Sequence, residues 1–117
     1  MTNNFHEEVH QLHAHLCSGL ADPARILILY SLAKKSCHVN ELSEELNIPQ
    51  PTVSRHLKTL RERGLVTSQR DAQYIHYQLA DKRVIDALDI LRAIMADNLK
   101  EQAQIAIAAT EARQSTQ

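Results

Sequence analysis

Histidine and cysteine side chains recur at helical spacing near the start of this 117-residue chain. His6, His10, His13 and Cys17 fall at positions i, i+4, i+7 and i+11, so a continuous α-helix places them within ~60° of one another. Two histidines four residues apart can bind one metal ion from a single helix face. Without a dense cluster of carboxylates, this set favours zinc or another thiophilic or borderline metal or metalloid as a cofactor.

Other interpretations of these residues stay open. The histidines can instead line a solvated or dimer-contacting face, with Cys17 as a small buried apolar residue. Cys37 and His38 are further candidate metal ligands, which can act with N-terminal histidines of another subunit. An intrachain Cys17–Cys37 disulfide is disfavoured, because the intervening helix separates the two by roughly 20 Å and a bridge needs Cα atoms within about 7 Å. A bridge between subunits stays open.

Basic side chains cluster in a second region. Residues 51–70 carry five arginines and lysines against one glutamate, a net charge of +4, whereas the whole chain has −1. A basic block on a nearly neutral protein is typical of a surface that binds phosphates. The alternative is that these side chains merely solvate an exposed helix, but the neighbouring turn, small polar residues and hairpin together favour DNA.

The basic residues belong to a predicted helix-turn-helix over residues 39–64. Apolar residues recur at helical spacing in its first half, Asn47 suits a left-handed turn, and Pro51 suits the first turn of the second helix. In that second helix Val53, Leu57 and Leu60 form one apolar stripe, while polar and basic residues lie opposite. We expect this polar face, which includes Lys58, to approach the major groove of double-stranded DNA.

The remaining pattern predicts the elements around this motif. A first helix spans residues 5–20, Asp22 and Pro23 begin a second one, and residues 65–79 form a β-hairpin wing. Asp81 caps a last helix that reaches residue 109, followed by a polar, frayed tail over residues 110–117. A helix about 40 Å long cannot bury its whole apolar stripe in one small chain. We therefore interpret it, with the first helix, as a dimerisation element; the alternative is a terminal helix that folds back.

Composition narrows the class of protein. Hydrophobic content is 44% and aromatic content only 3%, which favours one mainly α domain over residues 1–117. The sequence contains no apolar run of about eighteen residues and no signal peptide, and its two cysteines indicate reduced thiols. We expect a cytoplasmic protein without a membrane partner. It lacks a glycine-rich phosphate loop and a nucleophile elbow, so we expect no enzymatic activity.

Three stretches, LADPARILILYSLA, VNELSEELNIPQPTVSRHLKTLRERGLV and RDAQYIHYQLAD, resemble the ArsR/SmtB family of winged helix-turn-helix repressors over residues 16–95. The resemblance implies a homodimer, the element order ααααββα, and operator binding that an inducer relieves. It also implies that Arg70 touches the minor groove or the DNA backbone. The positions it implies for contact with bases and phosphates are Gln50, Thr52, Ser54, Arg55 and His56.

The sensing patterns of that family do not transfer intact. Where the family has Cys-Val-Cys, this chain has residues 38–40, His-Val-Asn. Asp81 matches one ligand position of a site on the last helix, but Arg83 stands where a histidine is expected, and that helix has no cysteine. The inducer is therefore a metal, a metalloid, a thiol-reactive species or none. A DNA-binding regulator without a sensor and a winged-helix protein-interaction module are the alternatives.

Overall fold

The computed structural model describes residues 4–115, which form five α-helices and one antiparallel hairpin. This arrangement confirms the predicted fold class, mainly α with a small β-hairpin wing. The helices are α1 (Asn4–Leu12), continued by a π-helical segment (His13–Cys17), α2 (Pro23–Lys34), α3 (Val39–Leu46), α4 (Gln50–Glu62) and α5 (Arg83–Ser115). The strands are β1 (Val66–Asp71) and β2 (Tyr74–Leu79).

The described residues divide into two compact units, one through Ile85 and one from Asp86 onward. The core of the first unit is aliphatic, as the low aromatic content predicts, and most of it comes from α2, α3 and α4. Its buried apolar residues are Ile28, Leu29, Leu32, Cys37, Leu42, Val53, Leu57, Leu60, Leu65 and Val66. This core holds α3 and α4 against α2, and so determines which side of α4 faces outward.

The first helix differs from the continuous α-helix predicted over residues 5–20. After Leu12 it widens into a π-helical segment that ends at Cys17. A π-helix closes its hydrogen bonds over five residues instead of four, so the prediction of one continuous α-helix is wrong over His13–Cys17. The angle of about 100° per residue that aligns His13 and Cys17 with the earlier histidines does not apply within this segment.

Two helix starts and one helix end follow the predicted capping rules. The Asp22 side chain accepts a hydrogen bond from the Ala24 backbone N–H at 2.8 Å, with Pro23 as the first helical residue. At the start of α5, Asp81 Oδ1 accepts from the Arg83 backbone N–H at 2.9 Å. Asn47 ends α3 with φ 54°, in the left-handed region. Each satisfies backbone groups that a helix end leaves open.

The wing, predicted over residues 65–79, is a hairpin with a tight turn. β1 continues to Asp71, which pairs with Tyr74. The turn is therefore only Ala72 and Gln73. Ala72 has φ 55°, so it takes the left-handed conformation for which a glycine is usual. The hydrogen-bonded strands impose this conformation on Ala72.

The last helix continues to Ser115, through most of the tail predicted over residues 110–117, of which residues 116–117 lie outside the described residues. The polar composition suggested fraying, but Ala, Glu, Arg and Gln are good helix formers. Thr110 Oγ1 also donates to the Ala106 carbonyl at 3.0 Å. No helix within residues 4–115 combines the length and apolar character needed to cross a bilayer.

Candidate nucleic-acid interface

The start of α3 is set by a reciprocal cap. The Glu41 backbone N–H donates to His38 Nδ1 at 3.4 Å, and the His38 N–H donates to Glu41 Oε1 at 3.1 Å. The bond from the His38 N–H and a second one from Lys35 Nζ, at 3.3 Å, hold the pKa of Glu41 below its usual value. His38 therefore has a structural role that the sequence analysis missed. The signal was its three-residue spacing from Glu41, the spacing of a capping box.

The turn between α3 and α4 orients the second helix. The Asn47 N–H donates to the Ser43 carbonyl, and the Ser43 hydroxyl donates to the Ile48 carbonyl. α4 then begins at Gln50 after Pro49, which makes no side-chain cap. Pro51 stands in the first turn, where a missing N–H costs nothing. The turn directs α4 out of α3 as predicted for a helix-turn-helix.

α4 has one buried side and one exposed side. Val53, Leu57 and Leu60 are fully buried. The side chains of five predicted DNA-contacting residues, Gln50, Ser54, Arg55, Lys58 and Arg70, are exposed, and Thr52 and His56 are half-buried at the margin of α4. The exposed side is available to a partner because the apolar stripe is already covered.

Contacts along the exposed side of α4 are short-range. Arg55 Nη2 donates to Thr52 Oγ1 at 3.3 Å, and Thr59 Oγ1 donates to the Arg55 carbonyl at 3.2 Å. Within residues 51–70 the one carboxylate, Glu62, makes no ion pair among the residues that the structure describes. Arg55 is exposed and also makes no ion pair among the described residues, so its positive charge is not neutralised before an anionic polymer binds.

Arg70 is an exposed basic residue of the wing. It lies on β1 opposite Ile75, one residue before the end of the strand. An open polar hollow of about 380 Å³ lies beside it, lined by Ser36, Gln69, Arg70, Asp71, His76 and Gln78. Because its lining is polar and open, it is the outer surface of the wing and not a closed substrate pocket.

The candidate metal ligands at the N-terminus are spread over two kinds of helix. His6 and His10 lie on α1, whereas His13 and Cys17 lie on the π-helical segment, and all four are exposed. Across residues 4–115 no three histidine, cysteine or acidic side chains are grouped closely enough to hold a metal ion. One chain therefore does not assemble the six candidates into a site.

Cys37 and His38 occupy positions unlike those of the N-terminal ligands. Cys37 is fully buried and pairs with Tyr77 of β2 through two backbone hydrogen bonds of 3.0 and 2.7 Å. Burial raises the pKa of its thiol, which opposes the thiolate form that binds metals. The His38 ring stacks on Tyr74 with 5.1 Å between centroids. Both residues therefore contribute to the seam between α3 and the wing.

Two arginines that were not predicted as site residues bind the first helix, Arg63 from the end of α4 and Arg25 from α2. Arg63 Nη1 donates to the Ala14 carbonyl, in the π-helical segment, at 3.1 Å. Arg25 Nε donates to the Gly19 carbonyl at 2.8 Å. The available signal was that a charged residue early in an apolar helix such as α2 must find polar partners when it is mostly buried.

Comparison with known proteins agrees with this geometry. A family model described as bacterial regulatory protein, arsR family, matches residues 22–68. The chain is 41% identical over 79 residues to a biofilm growth-associated repressor of Agrobacterium fabrum, with 68% of each protein covered. It is 36% identical to NolR from Sinorhizobium fredii, whose crystal structure gives a TM-score of 0.70 over 80% of this chain and 93% of NolR.

A further similar structure is the NMR structure of the cadmium metal-sensor CMTR from Mycobacterium tuberculosis. It is 37% identical, with a TM-score of 0.57 over 67% of this chain and 81% of that one. The resemblance read from the sequence is confirmed by the two sequence matches and by the shared fold. The chain belongs to the arsR family of bacterial regulatory proteins, and it is a DNA-binding transcriptional regulator and not an enzyme.

Proposed function

We propose that two copies of this chain pair and place their α4 helices in successive major grooves on one side of a DNA operator, which represses transcription. The observation that carries this proposal is the division of α4 into a buried apolar side and an exposed polar and basic side. Two such helices reach one duplex when they lie one turn of B-form DNA apart, about 34 Å. A repressor of this kind acts on chromosomal DNA, and so in the cytoplasm.

Each exposed residue has a role that fits its chemistry. Gln50 and Ser54 can exchange hydrogen bonds with base edges in the major groove. Arg55 and Lys58 supply charge for phosphates or guanines, and Arg70 on the wing supplies charge for the adjacent minor groove or backbone. We assign the sugar-phosphate backbone to Thr52 and His56, because both are half-buried at the margin of α4.

Exposed apolar side chains support the homodimer. On the first helix Phe5 is 68% exposed and Leu12 48%. In the second unit, Ile90, Leu91 and Leu99 are each more than half exposed. Clusters of large exposed apolar residues on a soluble protein mark association surfaces. A second copy of the chain is the partner that supplies a matching apolar stripe for each helix.

We also propose that an inducer relieves binding to the operator. The cadmium sensor among the similar proteins makes a metal ion or metalloid one candidate, and the exposed Cys17 makes a thiol-reactive species another. His6, His10 and His13 are candidate ligands only for a site that is shared between chains or completed by an external ligand. Cys37 is the weakest candidate of the six, because it is buried as a neutral thiol.

A regulator without a metal or thiol sensor is the second candidate. The absence of a three-ligand group within residues 4–115 favours it. So does the engagement of Asp81 with Arg83, whose Nη2 lies 2.7 Å from Asp81 Oδ2. That ion pair occupies the carboxylate which the family resemblance placed in a metal site.

A mobility-shift titration of Arg55→Ala on operator DNA at two salt concentrations tests DNA binding. We expect the affinity for DNA to fall tenfold or more, which is roughly the contribution of one base or phosphate contact. Sedimentation should show that the dimer is intact. The matched control Lys82→Ala removes an exposed charge outside α4 and should bind like the wild type. Wild-type binding that is absent or insensitive to salt would indicate a protein-interaction module instead, because phosphate contacts weaken as salt rises.

A panel of metal ions and oxidants on the protein–DNA complex tests the inducer. It is repeated with Cys17→Ser and Cys37→Ser. If thiol chemistry relieves repression, Cys17→Ser should remain bound to DNA under oxidant while Cys37→Ser, whose thiol is buried, releases like the wild type. If no divalent ion or oxidant releases the wild-type protein from DNA, the regulator has no metal or thiol sensor.

A further inference from the structure

The guanidinium of Arg25 is held rigidly at the turn between the first helix and α2. Its side chain is only 16% exposed. Nε donates to the Gly19 carbonyl at 2.8 Å and Nη2 donates to the Ser18 carbonyl at 3.2 Å. The Asp22 carboxylate lies 4.0 Å from Nη1. Because three groups fix the plane of the guanidinium, the direction of its remaining N–H bonds is also fixed.

One of those remaining bonds faces α4. Arg25 Nη1 lies 3.5 Å from Nδ1 of His56, on the helix proposed to enter the groove. A guanidinium can only donate hydrogen bonds, whereas a neutral imidazole has one donor and one acceptor nitrogen. Nδ1 must therefore be the acceptor, and the ring proton of a neutral His56 must lie on Nε2.

The opposite edge of the same ring is left for another partner. His56 is half-buried at the margin of the exposed side of α4. Among the residues that the structure describes, His56 Nε2 makes no hydrogen bond. The preceding residue, Arg55, is exposed and adds a positive charge to the same helix. An N–H donor at this place suits an acceptor that carries negative charge.

We propose that Arg25 is a positioning residue for DNA binding, which holds His56 as the Nε2–H tautomer so that the ring donates to a phosphodiester oxygen of the duplex. The second half of this inference, the contact of His56 with DNA, rests on the proposed function. The same guanidinium donates hydrogen bonds to carbonyls at the end of the first helix. A displacement of that helix would therefore also release the His56 ring. Arg25 thereby links a helix proposed to form the dimer to a contact with DNA.

Nitrogen-detected NMR of the imidazole rings in the free protein tests the first half without DNA. Wild-type His56 is expected to carry its proton on Nε2. Arg25→Met keeps the aliphatic stem but removes every donor, and it should give a mixture of tautomers. Arg25→Lys restores one donor and should restore the Nε2–H form. The matched control Arg61→Met, an exposed arginine on α4, should leave the His56 signals unchanged.

A double-mutant cycle on a mixed-sequence duplex of about 30 base pairs tests the second half, since phosphate contacts do not depend on sequence. Arg25→Met should weaken binding about tenfold, as expected for a lost bond to a charged acceptor. Gln can place its amide N–H near the position of histidine Nε2 and needs no tautomer control. In a His56→Gln background, Arg25→Met should therefore cost less than about twofold.

Several results would overturn the proposal. A wild-type ring protonated on Nδ1 would do so, as would an unchanged tautomer in Arg25→Met. Equal losses of DNA affinity in both backgrounds would reduce Arg25 to a structural role. If Arg25→Met does not fold, the wild-type spectrum and Arg25→Lys still decide the tautomer. A wild-type protein that binds no duplex would refute the phosphate contact and the proposed function, while the ring spectra would still report on the Arg25 contact.

Discussion

α1 and α4 are both amphipathic, yet the chain buries the apolar side of only one of them. On α4, Val53, Leu57 and Leu60 have no exposed surface. On the first helix, the corresponding stripe of Phe5, Val9, Leu12 and Leu16 is 40% to 68% exposed. When the chain buries the apolar stripe of a helix, as on α4, the polar side of that helix faces outward and can bind a ligand. When the stripe stays exposed, as on the first helix, another protein surface must cover it.

The largest expected effect on stability comes from a matched pair of leucine truncations, which tests this contrast. Leu57→Ala should lower the free energy of unfolding by about 2–5 kcal/mol, because it leaves a cavity in a packed core. Leu12→Ala should cost less than about 0.5 kcal/mol within one chain but should weaken self-association. Denaturant unfolding at several protein concentrations separates the two effects. A large, concentration-independent loss for Leu12→Ala would mean that α1 is covered by its own chain.

The end of the first helix provides a second test, because it packs against other residues of the chain while the apolar stripe of that helix is exposed. A Cβ added at Gly19 would lie 2.6 Å from Leu65 Cδ1 and 3.4 Å from Arg63 Cβ. Leu65 is buried, so Gly19→Ala should cost about 1–3 kcal/mol through overpacking. Gly64→Ala is the control: nothing lies within 4 Å of its added Cβ, but its φ of 74° should cost about 1 kcal/mol. Wild-type stability for Gly19→Ala would show that the end of the first helix is not seated against the residues after α4.

The same contrast explains what the sequence could predict. The boundaries of α2, α3 and α4 follow rules that act within a few residues: the Asp22 cap, the left-handed Asn47, and Pro51 in a first turn. The exposed side of α4 follows from periodicity alone. Local rules suffice there because the core covers the stripe they predict.

Features imposed from a distance were missed. In the π-helical segment the Ala14 carbonyl accepts a hydrogen bond from Arg63, 49 positions along the chain. Ala72 takes a positive φ because paired strands close over two residues. The contacts of Arg25 with the turn after the first helix and with His56 likewise exist only in the folded chain. No pattern within a short window encodes these contacts.

A third test concerns that wing turn. Ala72→Gly relieves the left-handed conformation, worth about 1–2 kcal/mol, against an entropic cost of about 0.5–1 kcal/mol for glycine. We expect a net gain of up to about 1 kcal/mol by thermal or chemical unfolding. Gln73→Gly, at a position without positive φ, should instead lose stability. A loss for both variants would mean that the turn does not constrain Ala72.

The smallest expected effect on stability lies at the start of α5, where Asp81 and Arg83 are exposed. It tests how a helix end is held when no core covers it. Hydrogen bonds from the side chain and backbone of Arg83 lower the pKa of Asp81 from 3.8 to about 2. A carboxylate with a depressed pKa adds stability above its unfolded value and loses it as the pH falls toward the folded one. Asp81→Asn should therefore be less stable than the wild type above about pH 4, and the two should converge near pH 2.

Unfolding free energies measured from pH 2 to 7 give this difference, and Asp71→Asn on the wing controls for removal of a surface carboxylate. Both Asp81 and Arg83 are solvent-exposed, so the effect is small and should shrink further in high salt. A difference between Asp81→Asn and the wild type that persists unchanged to pH 2 would mean that Arg83 does not engage the carboxylate. Asp81 would then be open to other ligands, and the argument against a metal site on the last helix would lose its geometric support.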